Sequence, residues 1–144
     1  MKHIFGLCIL LLVFSCKNAE KDTVEIKEKK EYIMYEPSEM TVLMNQMYAL
    51  NQKIKKDILA GKVPEHFPEA ILKIHTAELS EFKTRDENFK NFSNLFIETE
   101  KEIFNSSSDV PLEDRYNNMV NLCISCHQKE CTGPIPRIEK LLIQ

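Results

Sequence analysis

"PLEDRYNNMVNLCISCHQKE", residues 111–130, is the stretch on which the fold turns. Its apolar positions do not alternate. Tyr116, Met119, Val120, Cys123 and His127 recur at intervals of three and four, and residues so spaced are neighbours on one face of an α-helix. Pro111 stands near the first helical position, where a missing N–H has no intrahelical bond to lose. The same helix turns Cys123, Cys126 and His127 toward one surface, because they are related by three and four residues.

Working outward, the period repeats. Pro37-Ser38 opens a first helix with Ser38 as N-cap. Met40, Leu43, Met44, Met47, Leu50, Ile54 and Ile58 form its inner face, and Gly61 ends it. Pro64 and Pro68 bracket the start of a second, with Phe67, Ile71, Leu72, His75, Leu79 and Phe82 inward and a break near Thr84-Arg85-Asp86. A third carries Phe89, Phe92, Leu95, Phe96, Thr99 and Ile103, closed by the loop Asn105 to Asp109. Only Gly61 and Gly133 occur after residue 36, and no strand pattern is present. These features predict an all-α domain, an antiparallel four-helix bundle with the cysteine motif on the last helix. After it, Gly133-Pro134 is expected to end the helix and fold Ile135, Ile138, Leu141 and Leu142 back onto the bundle.

The N-terminal residues speak to compartment. Met1-Lys2-His3 precedes an apolar run from Ile4 to Phe14, shorter than the ~20 residues of a membrane span and suited to a secretory signal. Val13-Phe14-Ser15-Cys16 resembles the lipobox of bacterial lipoproteins, in which the cysteine is diacylated and becomes the mature N-terminus. The expected organisation is a signal peptide over 1–15, lipidated Cys16 with a charged tether over 16–36, and one domain over 37–144. The tether mixes Lys, Glu and Asp and has too little apolar surface to order itself. Lipidation implies a membrane anchor facing the extracytoplasmic side of a bacterial envelope. Lys17 stands where inner-membrane retention favours Asp, which slightly favours the outer membrane over the inner and leaves both open. The whole chain has 22 acidic and 19 basic residues, net charge −3, without the basic stripe of nucleic-acid binders. Nucleic acid is excluded as a partner.

Cys-x-x-Cys-His on an exported helix is the pattern of covalent haem attachment. The two sulfurs add to the vinyl groups along one porphyrin edge, and the adjacent imidazole reaches the iron. The competing readings each lack a part. Zinc asks for four ligands; Cys123, Cys126 and Cys131 supply three, with His127 awkwardly adjacent to Cys126. A thioredoxin-like dithiol belongs with a βαβ pattern. A structural disulfide suits the compartment but leaves His127 without a role.

Motif and helix pattern together resemble the class II c-type cytochromes, the cytochrome c′ and c-556 type, over about residues 37–130. The resemblance implies haem c held by Cys123 and Cys126, with His127 as proximal iron ligand. It implies a distal position one turn into the first helix. Aligning "MTVLMNQM" places Met44 there, with Met47 one turn beyond and Met40 more distant. A ligating methionine implies a single-electron carrier serving redox partner proteins. An empty distal position implies the alternative, a five-coordinate protein binding NO or CO. Met47 and His75 remain alternatives for the sixth ligand; core packing is the competing account of the methionines, and three of them at helical spacing favour ligation over it. Nothing marks an enzyme. Lys129 and Arg137 are propionate candidates by charge. Cys131 is left without a partner, which suits a buried small apolar residue, a homodimer contact or a site of redox regulation.

Overall fold

The computed structural model describes residues 36–144. The expected signal peptide, Cys16 and the tether as far as residue 35 lie outside the described residues. Within them every regular element is helical and no strand occurs.

Helix α1 spans Glu39–Leu59. Ser38 caps it in an extended conformation, its Oγ accepting from the Thr41 N–H at 3.3 Å. The helix stops in a Schellman turn: Gly61 N–H donates to Ile58, Lys62 N–H donates to Asp57, and Gly61 has φ +73°. A side chain there would be strained, which is why glycine ends this helix. Met40, Leu43, Met47, Ile54 and Ile58 are buried along one face.

The second element departs from expectation. In place of a long α-helix through Phe82 there is a seven-residue 3-10 helix, Glu69–His75. Its buried residues, Ile71 and Ile74, are followed by buried Ala77, all three apart. That spacing places them on one edge of a helix with three residues per turn. Leu72 and His75 are consequently exposed, and Phe82, in the loop beyond, is 82 % exposed. The four long helices expected from the sequence are therefore three.

Helix α2, Glu87–Ile103, starts at Asp86, whose Oδ1 accepts from the Phe89 N–H at 2.8 Å. It buries Phe89, Phe96, Ile97 and Ile103, while Leu95, expected inward, is exposed. Helix α3, Leu112–Glu130, packs most extensively against α2. Pro111 occupies its N-cap, one place before the expected position. Tyr116, Met119 and Val120 are fully buried between the helices, and side chains of this size each contribute roughly 1.5–3 kcal/mol on leaving water. Arg115 turns its guanidinium to the carbonyls of Glu102 at 2.6 Å and Asn105 at 2.7 Å. It thereby adds a donor to carbonyls at and just beyond the end of α2, where the regular ladder stops.

The chain then folds back as expected. A short helix α4, Ile135–Ile138, and a 3-10 turn, Glu139–Leu141, bury Ile138, Leu141 and Ile143. Two latches hold this tail. Asn117 pairs with the backbone of Ile143, donating through Nδ2 at 2.9 Å and accepting at Oδ1 at 2.8 Å. Lys55 of α1 donates to the carbonyls of Lys140 at 3.1 Å and Leu142 at 2.6 Å.

Candidate functional site

Helices α1 and α3, the tail and the loop after Ala77 enclose a cavity of about 380 Å³, within the usual range for small-molecule and cofactor sites. From α3 it receives Cys123, Cys126 and His127; from α1 it receives Met40, Met44 and Met47. Six residues singled out in the sequence thus share one lining. The period explains the convergence: positions 40, 44 and 47 repeat at four and three, as do 123, 126 and 127 on the facing helix. Met40 and Met47 are buried and Met44 is half-buried. His75 does not line the cavity. It is exposed, with Nδ1 3.4 Å from Ser93 Oγ on α2.

His127 is held from behind. Its Nδ1 lies 3.1 Å from the Cys131 carbonyl and 3.3 Å from Cys131 Sγ. A carbonyl only accepts, so Nδ1 carries the proton in this bond and Nε2 keeps its lone pair. Burial lowers the His127 pKa, opposed by the Cys131 carbonyl and Glu130. The imidazole is therefore neutral near pH 7, the form that ligates a metal.

The thiols are equally informative. Cys123, Cys126 and Cys131 are all free. Burial raises Cys123 strongly, with Glu100 adding to the effect, and raises Cys126 to about 11, with Glu130 and Cys131 adding. Reactive dithiols and zinc cysteines sit instead in electropositive surroundings that stabilise thiolate. Here burial is the main cause that keeps the sulfurs as thiols, with Glu100 and Glu130 adding to it. Among the described residues no three of His, Cys, Asp and Glu are grouped to hold a metal ion. Cys123 Sγ lies 3.6 Å from Met119 Sδ, so Met119 packs within α3 and does not line the cavity.

A covalently held haem needs an apolar slot, two neutral thiols on one edge, an imidazole with a free nitrogen and cations for two carboxylates. The lining meets each need. Leu79, Phe82 and Phe89 complete its apolar wall. Arg137 and Lys83 supply positive charge. The Arg137 guanidinium stacks 3.8 Å from the Tyr48 ring centroid and donates to Asn45 Oδ1 at 2.8 Å. Lys83 donates to the Glu130 carbonyl and lies 3.8 Å from its carboxylate. Lys129, the other cation considered from sequence, is exposed and does not line the cavity.

Other contributors are only partly legible in the sequence. Lys83 and Phe82 reach the cavity because the second helix ends early and leaves them in a loop. The tail forms a wall through Pro134, Arg137, Ile138 and Leu141. Asn51, 3 % exposed, lines the cavity from α1, and its backbone carbonyl accepts from Tyr116 Oη at 2.9 Å. Its position four residues after Met47, on the same face of α1, was the available signal.

No protein family matches this chain, and neither a curated protein nor a solved structure does so.

Proposed function

We propose that this chain is an exported c-type cytochrome that carries single electrons. Haem c would be attached through Cys123 and Cys126, with its iron ligated by His127 and by a methionine of α1, Met44 in first place. The observation that carries the reading is the meeting of the Cys-x-x-Cys-His motif and three methionines across one apolar cavity. The fold suits a class II bundle whose second helix is reduced to a 3-10 turn and whose tail supplies a wall.

The bound group would supply a one-electron iron(III)/iron(II) couple. The chain's residues do the rest. The Cys131 carbonyl fixes the His127 ring and its tautomer, which strengthens the imidazole as a ligand. The apolar lining would shield part of a bound haem from water, and burial of this kind is one of the levers that set reduction potential. Arg137, braced by Tyr48 and Asn45, holds positive charge at the cavity. Cys16, if diacylated, would hold the protein at the extracytoplasmic face of the envelope, since two acyl chains anchor stably where one does not. Redox proteins of that compartment would then be the partners. Among the described residues no helix is long and apolar enough to cross a membrane.

The test is expression of the full chain with a cytochrome c maturation system, followed by haem staining of a denaturing gel and spectra of both oxidation states. Stain that is present in wild type and lost in Cys123→Ala/Cys126→Ala supports attachment. Stain that survives in the double variant refutes it. A ferrous protein that binds CO at once, with high-spin ferric iron, would replace the carrier with the gas-binding alternative.

A further inference from the structure

Glu100 has no place in the chemistry described so far. It lies on the buried face of α2, in the last turn of that helix, with no exposed surface. Neither carboxyl oxygen has a hydrogen-bond partner, and no salt bridge reaches it among the described residues. An ionised carboxylate is rarely kept in such a place, because burying an unpaired charge is far costlier than burying the neutral acid. The site is also next to the cavity. Glu100 is close enough to Cys123 and Tyr116 to perturb both electrostatically, and Cys123 is the proposed point of haem attachment.

The other charged groups around it are engaged elsewhere. On α3, Arg115 is committed to the carbonyls of Glu102, Ile103 and Asn105. On the 3-10 helix, Lys73 is exposed, and His75 meets α2 at Ser93, two turns before Glu100. From α1, Tyr48 acts on Tyr116. On α2 itself, Lys101 is exposed and lies over the Phe67 ring. Burial lifts the Tyr116 phenol well above its ordinary range, with Glu100 and Cys123 adding, so it stays neutral. Once Cys123 forms a thioether it no longer titrates. At the cavity itself Glu130 is paired with Lys83, which leaves Glu100 as the unpaired buried carboxyl beside Cys123.

We propose that Glu100 is a redox-linked proton site, binding a proton when the cavity gains an electron and releasing it when the electron leaves. This rests on the cytochrome reading. The balance is simple: a one-electron donor protein reduces iron(III) to iron(II), and the carboxylate takes one proton from solvent to become the acid, with no bond to carbon broken. Adding the electron removes one positive charge from beside the carboxylate, so the acid form is favoured in the reduced state. Burial alone places the Glu100 pKa at about 7, where such a change has its effect near neutral pH.

The experiment is potentiometric titration of the haem-loaded full chain between pH 5.5 and 8.5, for wild type, Glu100→Gln and the apolar Glu100→Met. The wild-type reduction equilibrium should fall with rising pH by up to tenfold per pH unit, which is 59 mV for one electron. Both variants should be flat across this window. Redox-difference infrared spectra of wild type near pH 7 should show a protonated carboxyl C=O band gained on reduction, a readout that needs no variant. A flat wild-type profile, a slope retained in the variants or absence of the band overturns the proposal. Haem staining separates the two levels: a stained protein with a flat profile refutes the role of Glu100 alone, whereas an unstained chain refutes the cytochrome reading and this proposal with it.

Discussion

Replacing Glu100 by Gln should stabilise the protein, and by an amount that grows with pH. The carboxyl is fully buried without a partner, and desolvation raises its pKa from 4.5 to about 7. Between those values the folded chain holds a proton that the unfolded chain has released. Stability therefore declines as pH rises through that window and levels off above it. At ~1.4 kcal/mol per pH unit, a rise from 4.5 to about 7 amounts to about 3 kcal/mol. Gln reproduces the shape of the protonated acid and never ionises. The advantage of Glu100→Gln should thus be small at pH 4.5 and approach about 3 kcal/mol by pH 8, on the order of 10 °C in Tm for a domain of this size. Urea unfolding of the haem-loaded protein, followed by far-UV circular dichroism at pH 4.5, 6, 7 and 8, gives the comparison directly. Other titrating groups, His127 included, contribute to both proteins and cancel. Parallel stability profiles, or a variant weaker than wild type at pH 8, would refute the idea that burial governs this carboxyl.

Met44→Ala is expected to abolish the weak long-wavelength sulfur-to-iron charge-transfer band of the ferric protein and open the iron to CO, whereas Met47→Ala leaves the band in place; the reverse pattern in spectra of the two variants moves the ligand to Met47. Tyr116→Phe removes the donor to the Asn51 carbonyl, 2.9 Å away in the core. The carbonyl keeps its helical partner, so the loss is that of one buried hydrogen bond, about 1 kcal/mol, measurable in urea. Asn117→Ala deletes both bonds to Ile143, so unfolding free energy should drop by about 1–2 kcal/mol and the Ile143 amide should lose its protection from hydrogen exchange. Cys16→Ser should move the protein from the membrane fraction to the soluble extracytoplasmic fraction; unchanged membrane association would exclude lipid anchoring.

Reading the sequence succeeds here where periodicity and caps agree. Ser38 and Gly61 mark the ends of α1 to within two residues, and a stripe at three and four identifies the inner face between them. The same logic on α3 brings Cys123, Cys126 and His127 to one side. It fails between Pro68 and Asp86. Leu72, His75, Leu79 and Phe82 suit an α-helix in spacing, but Ile71, Ile74 and Ala77 suit a helix of three residues per turn, and the structure buries the second set. Two hydrophobic registers were present, and only packing against α1 and α2 chose between them. His75 leaves the candidate site for that reason. The cavity's tail wall is legible as apolar residues after Gly133-Pro134, but its placement depends on Asn117 and Lys55, which carry no local signal of their role. Glu100 was visible in principle. It sits four residues after Phe96 and three before Ile103, on the buried face of α2.

The tail latches also bear on the order in which the molecule assembles. Lys55 and Leu142 are separated by 87 residues along the chain, and Asn45 and Arg137 by 92, whereas α2 and α3 are joined by a short loop. Closing long loops carries the larger entropic cost, so local pairings form ahead of distant ones. The α2–α3 hairpin is expected to nucleate first, and the cavity to gain its walls only when α1 and the tail dock. Before that step Cys123 and Cys126 stand on a helix with one side open to solvent. On the cytochrome reading, a maturation enzyme would therefore reach the two sulfurs in the half-folded state, before α1 and the tail dock.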